Sequence, residues 1–445
     1  MLRAPARTII KNNSLISAIL LRKKVKMSRQ IHARRIEGLD KNVWVEFTNL
    51  VAGHPVVNLG QGFPDFSPPN FIKEAFTRAI NNGPNQYTRG FGHPPLVKIL
   101  AKFFGKLLGQ DIDPFSEVLV TVGAYEALFC SFQALIDDED EVIIIEPYFD
   151  CYEPMVRMAG GHPVYIQLRP KPVAGRLMTS ADWVLDPVEL ANKFSKRTKA
   201  IVINTPNNPL GKVFKREELQ AIAGLCVKHN VLCISDEVYE WLAYDANEHV
   251  RIASLPGMWE RTITIGSGGK AFSATGWKVG WAMGHKDVIK HLQTVHQNTN
   301  YHCATGAQQA VAEGFVKEYG CLGAPESYFI NLRQELQLKR DRLAACLVSV
   351  GLKPVIPEGG YFLIVDISAV KVDLPDSKDG QPYDYRFVKW LIINKGLAAI
   401  PVSAFYSSDH KKDFENFIRF CFVKEDSTLT KVEQILEEWK STMLT

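Results

Sequence analysis

The chain has 445 residues, of which 46% are apolar and 22% are charged, and its formal net charge at pH 7 is +4. This composition is that of an ordinary soluble protein, and the length is sufficient for one large and one smaller lobe. The small, interspersed charge argues against a nucleic-acid or membrane partner. Eight cysteines without CxxC spacing argue against disulfides and a metal site.

The N-terminal segment is basic and has no acidic residue before Glu37. Its arginines and lysines are mixed with Ser, Thr and apolar residues, which predicts a mitochondrial transit peptide over residues 1–28. The apolar stretch at 14–21 is too short to span a bilayer. The alternative is a disordered tail without a targeting signal. Met27 could also be the start of a shorter, cytosolic form.

Strand and helix patterns alternate through the middle of the chain. Short apolar runs predict buried strands at 118–121, 141–145, 200–203, 231–234 and 262–265. Helical patterns occur at 124–134 and 215–230, and Asp186-Pro187 is typical of a cap followed by a first-turn proline. This alternation predicts an α/β fold with a mostly parallel sheet covered by helices on both faces.

From about residue 315 the pattern changes to that of an α+β lobe. Helices are predicted at 328–350, 384–394 and 429–440, and a strand at 417–423. A run that begins with two glycines and continues with apolar residues follows the first helix at 359–365. We therefore expect four parts along the chain. They are the leader over 1–28, an arm over 29–60 that joins the smaller domain, a large domain over 61–314 and a small domain over 315–445.

Two polar motifs each follow a predicted buried strand, SDEVY at 235–239 and GSGGKAFSATGWK at 266–278. Ligands of open α/β sheets bind at the carboxyl ends of the strands, so Asp236 and Lys270 are expected to meet over one crevice. A lysine amine and a carboxylate that keeps a pyridine nitrogen protonated are what pyridoxal phosphate chemistry needs. Taken singly, an aspartate after a strand is more often a cap, and a lysine is more often a solvated charge.

These motifs resemble those of fold-type I, class I aminotransferases, and the resemblance runs from about residue 32 to the C-terminus. NLGQGFPDF at 58–66, NTPNNPLGK at 204–212 and YFL at 361–363 are similar to the kynurenine aminotransferase and glutamine transaminase K group. The chain departs from the family pattern at Gly268-Gly269, where Ala-Gly is expected, but two small residues keep the turn feasible. The resemblance implies an aspartate aminotransferase-like fold, with a large cofactor-binding domain and a smaller α+β domain.

The resemblance also implies a pyridoxal 5'-phosphate site. Lys270 would bind the cofactor aldehyde and, once released by substrate, carry the proton between the substrate Cα and the cofactor C4′. Asp236 would pair with the pyridinium nitrogen. Tyr239 and Asn208 would bond the ring oxygen O3′, and Phe149 would stack on the ring. The phosphate would be held by Gly123, Ala124, Tyr125, Ser267, Lys278 and, from a partner subunit, Tyr87.

For the substrate, Arg419 would clamp the α-carboxylate through a bidentate guanidinium contact. It lies in an apolar strand, where an unpaired buried charge costs several kcal/mol, and a structural salt bridge is the alternative. Gly62 would add a backbone donor, and Asn208 also belongs to this part of the site. The resemblance implies an aromatic side-chain pocket made of Trp44, Tyr125, Tyr301, His302 and Phe362, in which Tyr301, like Tyr87, comes from the neighbouring subunit.

The expected function is a homodimeric aminotransferase that moves the amino group of kynurenine, glutamine or another aromatic or sulfur-containing amino acid to a 2-oxo acid. The nearest alternative is a β-eliminating lyase on cysteine S-conjugates, which would use the same Lys270. A non-catalytic binding protein of this fold is a more distant alternative, and the intact set of Lys270, Asp236, Tyr239 and Arg419 argues against it. A nicotinamide dehydrogenase is excluded because no GxGxxG follows a first strand.

Overall fold

The computed structural model describes residues 31–40, 42–171, 173–374 and 380–443, without the side chains of 441–443. The leader predicted over residues 1–28 lies outside the described residues. The chain divides into two compact units, Met1–Asp40 and Lys41–Thr445. The described part of the first unit contains a short 3-10 helix at Arg34–Ile36.

The helices of the second unit alternate with strands through the middle of the chain and dominate its C-terminal part. They are α1 Val43–Ala52, α2 Asn70–Asn82, α3 Pro94–Leu108, α4 Gly123–Leu135, α5 Tyr152–Met158, α6 Pro187–Asn192, α7 Arg216–His229, α8 Gly268–Ala271, α9 Lys286–Thr299, α10 Thr305–Gly320, α11 Tyr328–Ser349, α12 Tyr383–Lys395 and α13 Asp426–Met443. In the part of the chain that the structure describes, no helix is both long and apolar enough to cross a membrane.

The strands form a large sheet, a smaller one and a short pair. They are β1 Val57–Asn58, β2 Val118–Val122, β3 Glu141–Glu146, β4 His162–Pro170, β5 Trp183–Leu185, β6 Thr198–Asn204, β7 Leu232–Asp236, β8 Thr262–Ser267, β9 Val279–Met283, β10 Lys353–Val355, β11 Phe362–Asp366, β12 Leu397–Ala398, β13 Ile400–Pro401 and β14 Phe417–Cys421.

The large sheet has the order β2-β9-β8-β7-β6-β3-β4-β5 within the described residues. The five neighbours β8, β7, β6, β3 and β4 are parallel, whereas β9 and β5 are antiparallel to their neighbours. Successive residues of β3 face opposite hydrophobic clusters, Ile143 and Ile145 one, Val142 and Ile144 the other. Because both faces are buried, the strands are continuous apolar runs.

The smaller sheet has the antiparallel order β10-β11-β14-β13, and β1 pairs in parallel with β12. The predicted α/β fold with a smaller α+β part is therefore confirmed. The boundary expected between residues 314 and 315 falls inside α10, which is a single helix from Thr305 to Gly320. The division into domains stays a prediction.

Local signals in the sequence account for most of these elements. The predicted cap before α6 is present, because the Asp186 carboxylate accepts hydrogen bonds from the backbone N–H groups of Val188 and Glu189. Helix α7 ends at Asn230, which adopts the left-handed conformation that terminates helices. Helices α2, α3 and α9 and strands β4 and β9 were not predicted from the sequence.

Candidate active site

A cavity of about 360 Å³ opens at the carboxyl ends of the large sheet's parallel strands. Asn204, Asp236 and Ser267 are the last residues of β6, β7 and β8, and Gly123 directly follows β2. The predicted site residues that line this cavity are Trp44, Gly62, Gly123, Ala124, Tyr125, Phe149, Asn208, Asp236, Tyr239, Ser267, Lys270, Lys278, Phe362 and Arg419. The fold therefore brings together segments that are far apart in the sequence.

Lys270 lies in the short helix α8, which begins where β8 ends. The Ser267 hydroxyl accepts a hydrogen bond of 3.3 Å from the Lys270 backbone N–H and so caps this turn. The Lys270 Nζ donates to the Gly62 carbonyl at 3.0 Å and lies 4.9 Å from the centre of the Tyr361 ring. Desolvation lowers the pKa of the Lys270 amine to about 8. A lysine with so low a pKa has an appreciable neutral fraction near pH 7, and the neutral amine is the form that attacks a carbonyl.

Asp236 is buried at the end of β7, with 4% of its surface exposed. Its Oδ2 accepts a hydrogen bond of 2.6 Å from the hydroxyl of Tyr152. Burial raises the pKa of Asp236 to about 6, although the Tyr152 hydrogen bond and the charge of Lys270 oppose this rise. A cationic ring nitrogen in the cavity would stabilise the carboxylate in the same way as any nearby positive charge.

A tight turn at the start of α4 presents backbone N–H groups to the cavity. Gly123 has a φ of +71°, and a Cβ at this position would lie 3.1 Å from the Lys278 Nζ. The first N–H groups of a helix have no partner within the helix, and the helix dipole is positive at this end. Together with Lys278, the turn at 123–125 is suited to a phosphate dianion.

Asn204 was not predicted from the sequence, yet it joins two parts of the site. Its Oδ1 accepts a hydrogen bond from the Asn208 N–H at 2.7 Å, and its Nδ2 donates to the Asp236 carbonyl at 3.0 Å. The side chain therefore fixes the loop that carries Asn208 against the strand that carries Asp236. Asn204 directly follows the strand predicted at 200–203 and is the first residue of the motif at 204–212, and these were its sequence signals. Nothing in the sequence pointed to Tyr152.

Arg419 on β14 reaches the cavity from the smaller sheet and is fully buried. Its Nη1 donates to Asn208 Oδ1 at 2.7 Å, and its Nη2 donates to the Gly60 carbonyl at 2.8 Å. Among the described residues, no carboxylate lies within the 4.0 Å of an ion pair with this guanidinium. Desolvation lowers the pKa of Arg419 to about 10, so the group stays charged at pH 7. The structural salt bridge considered from the sequence is not formed, and the guanidinium is left to bind a carboxylate of another molecule.

Aromatic rings surround this guanidinium and one wall of the cavity. The Phe362 ring centre lies 3.8 Å from Arg419 Cζ, and the Trp44 ring centre lies 5.1 Å from it. Trp44 is held by a hydrogen bond of 2.9 Å from its Nε1 to Asp150. Gly62 faces Phe362 so closely that a Cβ would lie 2.4 Å from the ring. These contacts form an apolar wall next to the cation.

Tyr87, Tyr301 and His302 do not line the cavity of their own chain. They form an aromatic cluster in which the Tyr87 ring centre lies 4.9 Å from that of His302 and 6.0 Å from that of Tyr301. Tyr87 is 81% exposed and Tyr301 is 57% exposed. Within one chain these three residues therefore do not line the cavity in which the cofactor and substrate are expected. Their roles stay predictions.

The residues around the cavity fit pyridoxal phosphate. The weakly basic Lys270 suits an aldehyde, the buried Asp236 suits a pyridinium nitrogen, and the Gly123 turn with Lys278 suits a phosphate. Arg419 adds a buried site for a carboxylate. The fold and the site thus define a pyridoxal-phosphate enzyme that acts on α-amino acids.

Comparison with known proteins gives the family. The description "Aminotransferase class I and II" matches residues 54–436. The chain belongs to this family, whose class I members depend on pyridoxal phosphate. It is 60% identical over 419 residues to human kynurenine–oxoglutarate transaminase 1, covering 93% of this chain and 99% of that protein. It is also 60% identical over 409 residues to human kynurenine–oxoglutarate transaminase 3, covering 92% of this chain and 90% of that protein.

Solved structures agree with this assignment. The crystal structure of Bna3p from Saccharomyces cerevisiae has a TM-score of 0.86 and 34% identity, covering 93% of this chain and 100% of that chain. N-Succinyldiaminopimelate aminotransferase from Mycobacterium tuberculosis has a TM-score of 0.82 and 37% identity, covering 92% of this chain and 99% of that chain. The predicted aspartate aminotransferase-like fold, pyridoxal phosphate cofactor and transaminase class are confirmed.

Proposed function

We propose that this enzyme transfers the amino group of kynurenine, or of glutamine or another aromatic or sulfur-containing amino acid, to a 2-oxo acid. One observation gives the main support for this reaction type. The buried Arg419 guanidinium lines the same cavity as Lys270 and has no carboxylate partner among the described residues. The apolar wall of Trp44 and Phe362 and the names of the relatives support an aromatic donor.

Each of these cavity residues has a separate role in the transamination. Bound pyridoxal phosphate supplies the electron sink that makes the proton on the substrate Cα acidic. Arg419 and the backbone of Gly62 bind the α-carboxylate and fix the Cα beside Lys270. The neutral Lys270 amine would take the proton from the substrate Cα and act as the acid that returns it on the cofactor side. The Asp236 carboxylate would pair with the protonated pyridine nitrogen, and the Phe362 ring covers the guanidinium against water.

The test is a matrix of catalytic efficiencies on purified full-length protein. Donors are kynurenine, glutamine, phenylalanine, methionine and alanine, and acceptors are 2-oxoglutarate, pyruvate and phenylpyruvate. We expect kynurenine or glutamine to exceed alanine clearly with at least one acceptor, and Lys270→Ala to be inactive with all of them. A preference for small aliphatic donors would contradict the proposed substrate class but not the transaminase reaction.

Cysteine S-conjugates belong in the same matrix because the β-elimination expected as an alternative would use the same Lys270. Pyruvate and ammonia released without any oxo acid report β-elimination, whereas a new amino acid formed from the oxo acid reports transfer. We expect transfer to dominate for kynurenine, which is the reaction named for the relatives.

We also propose that two chains form a dimer with composite active sites. The exposed cluster of Tyr87, Tyr301 and His302 supports an interface at this surface. In a composite dimer, mixing inactive Lys270→Ala chains with Tyr87→Ala chains restores one complete site per mixed dimer. Activity should then recover to about a quarter of wild type, because half of the dimers are mixed. A lack of recovery after subunit exchange, or an active monomer at micromolar concentration, would contradict this assembly.

We further propose import into mitochondria through residues 1–28, supported by their basic, acid-free composition. A reporter fused to this segment should enter mitochondria, and the matched chain that starts at Met27 should stay in the cytosol. If the reporter fused to residues 1–28 stays in the cytosol, the segment is a tail without a targeting signal and the proposal is wrong.

A further inference from the structure

A buried pair of side chains, Glu126 and His296, lies behind the turn that faces the cavity. Glu126 is in the first turn of α4 and His296 is in α9; the side chains are 7% and 0% exposed. The distance from His296 Nδ1 to Glu126 Oε1 is 2.7 Å. Neither residue lines the cavity, so neither would touch substrate or cofactor.

Each ring nitrogen of His296 faces an oxygen atom. His296 Nδ1 faces the Glu126 carboxylate, and its Nε2 faces the Gly90 carbonyl at 3.0 Å. Hydrogen bonds at both ring nitrogens therefore fix the orientation of the imidazole between these two oxygen atoms. Burial would raise the pKa of Glu126, but hydrogen bonds from His296, from the Val122 N–H and from Asn300 outweigh it and leave the pKa below its ordinary value.

The pair connects the turn to two other segments. The second oxygen of Glu126 accepts a hydrogen bond from the backbone N–H of Val122, the residue immediately before Gly123. Val122 has no capping side chain of its own, so Glu126 is the acceptor at this helix start. Through Gly90 and the end of α9, the same histidine also fixes the loops that carry Tyr87 and Tyr301.

We propose that the hydrogen-bonded pair Glu126–His296 is a positioning device that holds the turn at 123–125 in the geometry required by the cofactor phosphate. Glu126 fixes the turn through Val122, and His296 fixes Glu126. This inference rests on the proposed assignment of the turn and Lys278 to the phosphate.

The experiment compares two probes that differ only in the phosphate. Full-length protein is saturated with pyridoxal phosphate or with pyridoxal and then diluted, and the absorbance of the bound form gives each dissociation constant. Glu126→Gln keeps an acceptor for Val122 without the charge, and His296→Ala removes the support of Glu126. Ser131→Ala is the matched control, because Ser131 is buried in the same helix and donates only to the Ala127 carbonyl at 2.7 Å.

We expect His296→Ala to weaken pyridoxal phosphate binding by about tenfold or more and pyridoxal binding by no more than about twofold. Glu126→Gln should stay within about threefold of wild type for both probes, because a neutral His296 can still accept from the amide and donate to Gly90. Ser131→Ala should change neither constant. If His296→Ala does not fold, His296→Gln replaces it. This variant should still lose pyridoxal phosphate selectively, because the shorter reach of one amide cannot reproduce both hydrogen bonds of the imidazole.

Equal losses for the two probes, or no loss for either, would overturn the proposed positioning role. Lys278→Ala separates this failure from a failure of the underlying assignment. If Lys278→Ala weakens pyridoxal phosphate selectively and the His296 variant does not, the positioning role alone is wrong. If neither variant is selective, the turn does not hold the phosphate and both proposals fall.

Discussion

The hydrogen bond from Tyr152 to Asp236 predicts a sharp effect of Tyr152→Phe. The Tyr152 hydroxyl donates at 2.6 Å to a carboxylate that is buried and that has Lys270 as a more distant opposite charge. Removing the hydroxyl leaves the ring in place and deletes this donor alone. Asp236 should then be a weaker partner for the protonated pyridine nitrogen.

The magnitude follows from the energy of a hydrogen bond to a charged group. Such a bond contributes about 1.5–3 kcal/mol, and about 1.4 kcal/mol corresponds to one pKa unit, so the pKa of Asp236 should rise by about one to two units. The carboxylate is the active form, and raising its pKa moves the acidic limb of the pH profile of kcat/KM upward by the same amount. With the pKa moving from about 6 to about 7–8, catalytic efficiency at pH 7 should fall by about two- to tenfold and recover at higher pH.

The chain offers a matched control in Tyr148→Phe. Tyr148 is also buried, and its hydroxyl donates at 2.7 Å to the carboxylate of Glu153, away from the cavity. Both variants should lose similar thermal stability, whereas only Tyr152→Phe should shift the acidic limb. An unshifted limb in Tyr152→Phe, or an equal loss of efficiency in both variants, would show that Tyr152 acts through packing and not through Asp236.

Three further predictions concern the cavity. Lys270→Ala should abolish turnover and the absorbance of covalently bound cofactor, and full activity in this variant would refute the role of the lysine. Arg419→Ala should lower kcat/KM for every donor by about a hundredfold, and Arg419→Lys should recover little of this loss. Changes at Trp44 or Tyr125 should instead change the order of preference among donors. A loss at Arg419 that affects only some donors would show that the two roles are assigned the wrong way round. Finally, burial lowers the pKa of Lys270 from an ordinary 10.5 to about 8, and only the neutral amine reacts with an aldehyde. The rate at which cofactor-free protein binds the cofactor, measured by rapid mixing, should therefore rise with pH and level off above about 8. A rate that continues to rise toward pH 10.5 would contradict the lowered pKa.

Features that depend on neighbouring residues could be predicted from the sequence. Continuous apolar runs predicted the central strands, because a strand buried on both faces needs apolar side chains at every position. Asp186 and Lys270 were found for a similar reason, since a cap and a turn after a strand depend on a few adjacent residues. Asp236 was predicted in the same way from its place after a buried strand and Arg419 from its place in an apolar strand, whereas Asn208 rested on the family resemblance.

Contacts between groups that are far apart in the sequence could not be predicted, because they depend on how the elements pack. Arg419 reaches Asn208 across 211 positions of the chain, and Tyr152 reaches Asp236 across 84. Periodicity tells which face of an element is buried but does not tell which element covers that face, so a lone Tyr152 or His296 looks like any core residue. For the same reason the sequence did not show that α10 continues through the expected domain boundary at 314/315. The packing of this helix depends on partners far along the chain.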